Sequence, residues 1–303
     1  MTTLLSSFAA AAPASSSDLV PRLPLGDAVE NVVDWFTTTF DSLFETIRDV
    51  LVWAFDVLAD VLGEPPAWAV ALVLVALAFV AKGWRLAVGS AVGFAVITGV
   101  DQWDNAMDTL ALVVLASLVA VVLAVPLGIW AARDDRVSRV LRPVLDFMQT
   151  MPAFVYLIPT VVIFHVGVVP GLVATVIFAM APGVRFTELG IRQVDPEVVE
   201  AGHAFGSTDA RILRQIQLPL AMPTIMAGVN QVIMLALSMV VIAGMVGANG
   251  LGRDVVSSLQ RVNVALGFEA GLSVVILAMY LDRVTAALGS RSKVSRALAT
   301  ANA

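Results

Sequence analysis

Long stretches without a charged side chain limit what this chain can fold into. One of them, residues 110–131, contains no charged residue at all. An α-helix needs about 20 such residues to cross the hydrocarbon core of a bilayer. With 59% hydrophobic and 14% charged residues, the chain is also too apolar for an ordinary soluble domain. The sequence therefore predicts an integral membrane protein.

Seven apolar segments predict an all-α fold, a polytopic transmembrane helix bundle with about seven spans. The second, fourth and fifth segments are short or interrupted by Gly and Pro. Interrupted spans are stable only where neighbouring helices satisfy the freed backbone groups, so the spans should pack into one bundle. The predicted spans are Ala67 to Ala81, Leu86 to Val100, Leu110 to Ala131, Ala153 to Val166, Gly171 to Val184, Met222 to Val246 and Leu266 to Leu281.

The distribution of basic residues predicts how the bundle is oriented. With seven spans and the amino terminus outside, 14 of the 18 Lys and Arg residues lie on the cytoplasmic side. Only Arg22, Arg48, Arg253 and Arg261 remain on the outer side. Cytoplasmic loops of membrane proteins are enriched in Lys and Arg, so the amino terminus is predicted outside and the carboxyl terminus inside.

The regions outside the predicted spans differ in character. Residues 1–26 lack the basic and apolar segments of a signal peptide and are predicted to be a disordered tail. Residues 27–65 have the pattern of an extracytoplasmic amphipathic helix, or of two helices end to end, ending at a Pro pair. Its polar face is acidic, which disfavours attraction to anionic lipid. Two interpretations stay open: the helix docks on the bundle or the membrane interface, or it has no separate task. Residues 66–289 form the predicted transmembrane domain and residues 290–303 a cytoplasmic tail.

A polar segment, residues 189–219, separates the fifth and sixth predicted spans. Asp195-Pro196 is a helix start, and Gly206 is the residue type that ends a helix in a left-handed conformation. Ser207 or Thr208 can cap a second short helix, which Leu218-Pro219 is expected to end. The predicted product is two short helices at an angle below the membrane; a plain polar loop is the alternative.

This segment resembles the cytoplasmic EAA loop of binding-protein-dependent ABC importer permeases. The family pattern has Glu-Ala-Ala, a Gly at the seventh position, Ile at the seventeenth and Leu-Pro at the nineteenth and twentieth. Six of the seven positions agree, and Gly202 replaces the second Ala, which leaves room for a partner's side chain. By this resemblance the residues that couple to an ATPase are Glu200, Ala201, Gly202, Gly206, Ile216, Leu218 and Pro219.

Four further stretches resemble the permease subunit of glycine betaine/proline betaine importers: residues 126–133, 148–159, 217–245 and 281–289. The resemblance implies a type I ABC importer permease fold in the bacterial cell membrane. It also implies a second permease copy, two copies of an ABC ATPase subunit that binds ATP and Mg, an extracytoplasmic substrate-binding protein and surrounding membrane lipid. Choline, carnitine, ectoine or an amino acid are alternative solutes.

Other classes of protein lack the residues that they would need. Nucleotide hydrolysis needs a Gly-rich loop that ends in Lys-Ser or Lys-Thr, and neither Lys82 nor Lys293 is followed by Ser or Thr. The chain has no cysteine and two distant histidines, so no metal site, cofactor or catalytic set is predicted. A secondary transporter would need acidic residues near the centre of a span, and the predicted spans have none. No enzyme activity and no nucleic-acid partner are expected.

The solute class restricts which residues can line a transport pathway. A quaternary ammonium group offers no hydrogen-bond donor, so aromatic faces must attract it, at about 0.5 to 2 kcal/mol each. The predicted pathway residues are Phe154, Tyr156, Asn230 and Gln231. Packing of the aromatics, and hydrogen bonds from the amides to neighbouring helices, are the alternatives. Glu188 and Glu269 lie at predicted ends of spans, where an acid is tolerated without a functional role.

Overall fold

In the computed structural model, which describes residues 25–290, the chain is almost entirely helical and contains no strand within that range. A π-helical segment, Leu213–Gln217, lies between the tenth and eleventh helices. The helices are α1 (Leu25–Thr39), α2 (Asp41–Gly63), α3 (Ala67–Lys82), α4 (Trp84–Gly99), α5 (Trp103–Arg133), α6 (Asp135–Thr150), α7 (Ala153–Phe164), α8 (Val168–Arg192), α9 (Pro196–Ala204), α10 (Asp209–Ile212), α11 (Leu218–Ser238), α12 (Val240–Met245), α13 (Leu251–Arg261) and α14 (Val264–Ser290).

The chain divides into two compact units between Leu43 and Phe44. In the described part of the first unit, α1 carries Trp35 and Phe36, whose rings stand edge to face 5.9 Å apart. The chain bends at Phe40, where α2 follows. The stretch predicted as one amphipathic helix or two is therefore two helices, and the first begins at Leu25. The rest of the predicted tail, residues 1–24, lies outside the described residues.

The second unit is built around α5, α8 and α11. Their contact surfaces are rich in alanine: Ala116 and Ala120 of α5, Ala179 of α8 and Ala236 of α11 are fully buried. Small residues allow helix backbones to approach closely, which is how membrane helices gain packing energy without a hydrophobic driving force. Phe55 of α2 is also buried and packs with α3 on the same core.

Four helices or continuous helical stretches are long and apolar enough to cross a membrane: α5, α8, the stretch Asp209–Met245 and α14. Two bent pairs, α2 with α3 and α6 with α7, meet the same criteria when each pair counts as one span, with bends of 99° and 97°. The described residues thus contain four to six spans by length and composition. All seven predicted segments overlap these helices or α4, and their number as spans stays a prediction.

Several local features differ from the sequence expectations. The predicted fifth span, Gly171 to Val184, is the middle of a longer helix, since α8 runs to Arg192 with Pro182 inside it. The helices α6 and α13 were not predicted, because their charged, amphipathic sequences resemble loops of a membrane protein. The last helix continues beyond Leu281, so that Asp282 lies within α14. The predicted tail from residue 291 onwards lies outside the described residues.

Candidate functional site

The segment 189–219 begins as its sequence predicts. The carboxylate of Asp195 accepts a hydrogen bond from the backbone N–H of Glu197, at 2.9 Å, and so caps α9. Pro196 occupies the first turn, where its missing N–H costs nothing. The cap and the proline fix where α9 starts, and three residues separate it from the end of α8.

The end of α9 is also set by local sequence. Gly206 has φ +75°, a left-handed conformation that glycine adopts without strain. The Gly206 N–H donates to the His203 carbonyl at 2.8 Å, and the Ser207 N–H donates to the Gly202 carbonyl at 3.1 Å. This pair of bonds is the Schellman motif, which satisfies carbonyls at the end of a helix. The chain therefore reverses sharply after Phe205.

The space beside Gly202 is filled from within the chain. Gly202 is buried, and a Cβ atom added there would lie 2.9 Å from Cδ1 of Ile216 and 3.3 Å from Cγ1 of Ile212. The expectation that this glycine leaves room for a partner's side chain is therefore wrong. The glycine instead lets α9 pack directly on α10 and the π-helical segment, so the two arms of the segment hold each other.

The second arm does not end where the sequence predicts. Thr208 is the N-cap residue of α10, without a side-chain capping bond, and the helix continues through the π-helical segment into α11. Leu218 and Pro219 form the first turn of α11, half-buried. A proline ring clashes with the carbonyl four residues earlier in a regular helix, and the wider π-turn before Pro219 is the kind of local adjustment that relieves such a clash. The second arm is thus the first part of the continuous helical stretch Asp209–Met245.

The tip of this segment exposes one large apolar side chain. Phe205 is 90% exposed, and Glu200 and Ala201 are exposed on the same short helix. Sequence reasoning missed Phe205, because it considered the position only as the end of a helix. An aromatic residue that projects from a polar surface is the type of anchor that partners bind in a pocket. We call this projecting part of the segment, formed by α9, α10 and the π-helical turn up to the start of α11, the knob.

The four predicted pathway residues differ in exposure and in their hydrogen bonds. Phe154 is 52% exposed on α7, whereas Tyr156 is buried and its hydroxyl donates to the carbonyl of Met148. That bond spans the break between α6 and α7. Tyr156 therefore fixes the angle between these helices, while the side chain of Phe154 stays partly exposed.

The two neighbouring amides of α11 have different surroundings. Asn230 donates from Nδ2 to Oδ1 of Asp282 at 3.0 Å and accepts from the Thr285 hydroxyl at 2.6 Å, so it joins α11 to α14. It also lines a cavity of about 340 Å³ between these helices. Gln231 is exposed. Of the two, only the amide of Gln231 points away from the packed core of the chain.

No group of three or more His, Cys, Asp or Glu side chains that could hold a metal ion occurs within residues 25–290. Within that range, the glycine-rich residues 247–250 form a turn, and residues 251–252 are the first two residues of α13. The described site therefore consists of a helical knob and a set of packed helices. Such an arrangement can transmit movement from one helix to another.

Comparison with known proteins gives the class to which this fold and knob belong. A family model described as binding-protein-dependent transport system inner membrane component matches residues 124–294. This region contains the segment 189–219 and all of α8 and α11. The chain belongs to this family of membrane-embedded transport components.

Individual relatives match over most of the chain. The glycine betaine transport system permease protein OpuAB of Bacillus subtilis is 47% identical over 268 residues, 88% of this chain and 95% of that protein. The glycine betaine/proline betaine permease ProW of Escherichia coli is 44% identical, over 90% of this chain and 78% of that protein. The trimethylamine N-oxide permease TmoV of Ruegeria pomeroyi is 35% identical, over 88% of this chain and 43% of that protein.

A solved structure shares the fold. The MetNI methionine ABC transporter in an inward-facing conformation superposes with a TM-score of 0.55 and 21% identity. The match covers 63% of this chain and 92% of that chain. At this level of identity the similarity concerns the fold alone, which is that of a type I ABC importer permease.

Proposed function

We propose that this chain is the membrane-spanning permease of an ATP-driven importer for glycine betaine or a related quaternary-ammonium solute. The family and the relatives named for glycine betaine, which match over most of their length, support this solute class. Relatives named for carnitine and trimethylamine N-oxide, which also carry methylated nitrogen, make those solutes the main alternatives. Choline, ectoine and amino acids are the further alternatives.

The observation that carries the proposal is the knob of the segment 189–219. Its partner is an ABC ATPase subunit, which binds ATP and Mg outside this chain. Glu200, Ala201 and Phe205 face the ATPase, whereas Gly202 and Ile216 brace the knob internally. Gly206 sets the reversal, and Leu218 and Pro219 connect the knob to α11. Two ATPase copies would close on ATP and move two such knobs as rigid bodies.

The complete importer contains two copies of this permease and an extracytoplasmic binding protein, in the bacterial cell membrane. The clustering of Lys and Arg supports an outer amino terminus and an inner carboxyl terminus. In this orientation the segment 189–219 faces the cytoplasm, where ATP is available. In the same proposal, residues 27–65 form the outer amphipathic region of the chain, and residues 66–289 form its transmembrane domain.

The solute pathway lies between the two permease copies in this proposal. Phe154 and Gln231 are exposed in the single chain, so a second copy could place them on a shared pathway. Tyr156 and Asn230 support the pathway from behind, since their polar atoms are engaged within the chain. The ring of Phe154 offers the aromatic face that a quaternary ammonium group requires.

Reconstitution tests the proposal directly. The chain is assembled with its ATPase and binding protein in liposomes, and uptake of labelled glycine betaine, carnitine, choline and trimethylamine N-oxide is measured with and without ATP. We expect ATP-dependent accumulation of at least one methylated solute. The variant Glu200→Ala should insert normally, lose uptake and retain less ATPase on purification. Uptake driven by an ion gradient without ATP, or full activity of this variant, would contradict the proposal.

A further inference from the structure

One carboxylate near the inner end of α8 joins two helices through a single oxygen atom. Glu188 is 5% exposed, and its Oε1 accepts a hydrogen bond from the Ser138 hydroxyl of α6 at 2.7 Å. The same oxygen lies 3.0 Å from Nη2 of Arg142 and 3.0 Å from Nε of Arg192. A buried carboxylate is stable only with such donors. Two of its partners, Ser138 and Arg142, lie on α6 and fix its position relative to that helix, whereas Arg192 belongs to α8 itself.

Arg192 extends this network to a third helix. Its Nη2 lies 2.7 Å from Oδ1 of Asp135, in the first turn of α6, and 2.8 Å from the carbonyl oxygen of Ala131. Ala131 belongs to the last turn of α5, where helix carbonyls lack intrahelical partners. The planar guanidinium group can hold several acceptors at once in a fixed geometry. Arg192 therefore connects the ends of α5, α6 and α8.

Only three residues separate this network from the knob. The Gln193 N–H donates to the Leu189 carbonyl at 2.9 Å, and Asp195 caps α9. Val194 in the same linker is buried. A short, hydrogen-bonded and partly buried linker leaves α9 little freedom to move independently of Arg192.

The network also leads to a predicted pathway residue. The helix α6, which Glu188 and Arg192 hold, is bent by 97° from α7. The hydroxyl of Tyr156 on α7 donates to the carbonyl of Met148 near the end of α6. A displacement of α6 would therefore be passed to α7, which carries Phe154.

We propose that Glu188 and Arg192 are positioning residues that make α9 move as one body with α5 and α6 when the ATPases close. This inference rests on the proposed function, because it names the route by which movement of the knob reaches the pathway. A second route runs from α9 through the Gly202–Ile216 contact into α11. The two routes connect the knob to different walls of the bundle.

A distance measurement tests the rigid-body movement. The chain contains no cysteine, so Val140→Cys on α6 and Glu197→Cys on α9, both exposed, can carry spin labels without further changes. The complete reconstituted importer is diluted with unlabelled permease to suppress distances between copies, and pulsed electron resonance is recorded with and without ATP. We expect the same distance between α6 and α9 in both states.

The variant Glu188→Gln removes the charge and keeps the shape of the side chain. In this variant, ATP should shift or broaden the distance between α6 and α9. Solute taken up per ATP hydrolysed should fall about threefold to tenfold, the range in which residues that couple sites usually act. The ATPase should still co-purify, since the knob is unchanged. A stabilising role alone would lower protein yield and leave the ratio of uptake to hydrolysis intact.

Arg185→Gln is the matched control. Arg185 pairs with Asp146 and joins α6 to α8 in the same cavity, but the pair is more exposed, and within residues 25–290 no hydrogen bond or ion pair joins either side chain to α5. In the Arg185→Gln variant, the amount of solute taken up per ATP hydrolysed should equal that of the unchanged chain. If Glu188→Gln fails to insert, Arg192→Lys keeps the charge, loses the planar fork and should give the same uncoupling.

Two results would overturn the inference while leaving the proposed function in place. One is an ATP-dependent change of the distance between α6 and α9 in the unchanged chain. The other is a normal uptake-to-hydrolysis ratio in both Glu188→Gln and Arg192→Lys. Failure of the proposed function is a separate outcome, because the unchanged chain would then show no ATP-dependent uptake at all.

Discussion

Two glutamates twelve positions apart, Glu188 and Glu200, show two ways in which a charge can serve this chain. Glu188 is buried, and one oxygen accepts hydrogen bonds from Ser138 and Arg142 and forms an ion pair with Arg192. Glu200 is exposed, and within the described residues no side-chain hydrogen bond or ion pair involves it. The first carboxylate holds helices together, whereas the second is available to a partner. Burial and internal bonding therefore separate residues that brace the knob from residues that present it.

The largest effect should come from the most exposed apolar residue of the partner-facing set. Phe205→Ala removes an aromatic anchor that makes little contact within the chain. We expect the affinity for the ATPase to fall by about 2 kcal/mol or more, roughly thirtyfold, as for central anchors of other interfaces. Titration of the purified ATPase onto the permease in nanodiscs measures this loss.

Val140→Ala is the control for Phe205→Ala, since Val140 is also exposed but lies on α6. It should leave ATPase affinity unchanged. In both variants the free energy of unfolding should stay within about 0.5 kcal/mol of that of the unchanged chain, as is usual for surface substitutions. Equal ATPase affinity of Phe205→Ala and the unchanged chain would show that the aromatic side chain does not enter the interface.

The second prediction compares the two glutamates by stability. Glu188→Ala leaves the buried Ser138 hydroxyl without its acceptor. It also removes the ion pairs to Arg142, which reaches water, and to Arg192, which keeps Asp135 and the Ala131 carbonyl as partners. We expect a loss of about 1 to 3 kcal/mol in the free energy of unfolding. Glu200→Ala should change it by about 0.5 kcal/mol or less. Thermal unfolding in detergent, followed by tryptophan fluorescence, measures both, and equal losses would remove the distinction between the two sites.

Local signals in the sequence were enough to predict one arm of the knob. The cap at Asp195, the proline after it and the left-handed Gly206 each act within a few residues, and the structure has α9 between them. The π-helical turn before Pro219 was not predicted, because it depends on how α11 packs in the bundle. The apolar segments likewise predicted a helical bundle, whereas charged α6 was counted only as basic sequence.

The role of Glu188 could not be predicted, because its partners on α6 lie 46 and 50 positions earlier in the chain. Periodicity and hydropathy describe neighbours along one helix and contain no information on such pairs. Phe205 was missed for the opposite reason, since its importance comes from having few contacts. Its position directly before the helix-ending Gly206 could have indicated it, because such a residue lies at the tip of the turn.

The contrast between a side chain bonded within the chain and an exposed one recurs in the predicted membrane region, between Asn230 and Gln231. Asn230→Ala breaks bonds to Asp282 and Thr285, so it should lower the free energy of unfolding by about 1 kcal/mol. Gln231→Ala should leave stability unchanged and alter uptake, since its side chain is exposed on the proposed pathway. Unfolding curves and the solute concentration for half-maximal uptake separate the two. Unaltered uptake in Gln231→Ala would exclude this residue from the pathway.

The smallest expected effect concerns the internal brace of the knob. Gly202→Ala gains up to about 1 kcal/mol of helix propensity, but the new Cβ would lie 2.9 Å from Cδ1 of Ile216. Since that atom is the end of a flexible side chain, it can move, and the net change in stability should be within about 0.5 kcal/mol. Ile216→Val removes this one atom and should cost about 0.5 to 1.5 kcal/mol alone.

The double variant Gly202→Ala, Ile216→Val decides whether the contact braces the two arms. If it does, the alanine methyl group occupies the space that Cδ1 leaves, and the double variant should be more stable than the sum of the single changes by about 0.5 kcal/mol or more. Strict additivity would mean that Gly202 and Ile216 do not interact. In that case the knob would be held by its connections to α8 and α11 alone, and the second route for movement would lose its physical basis.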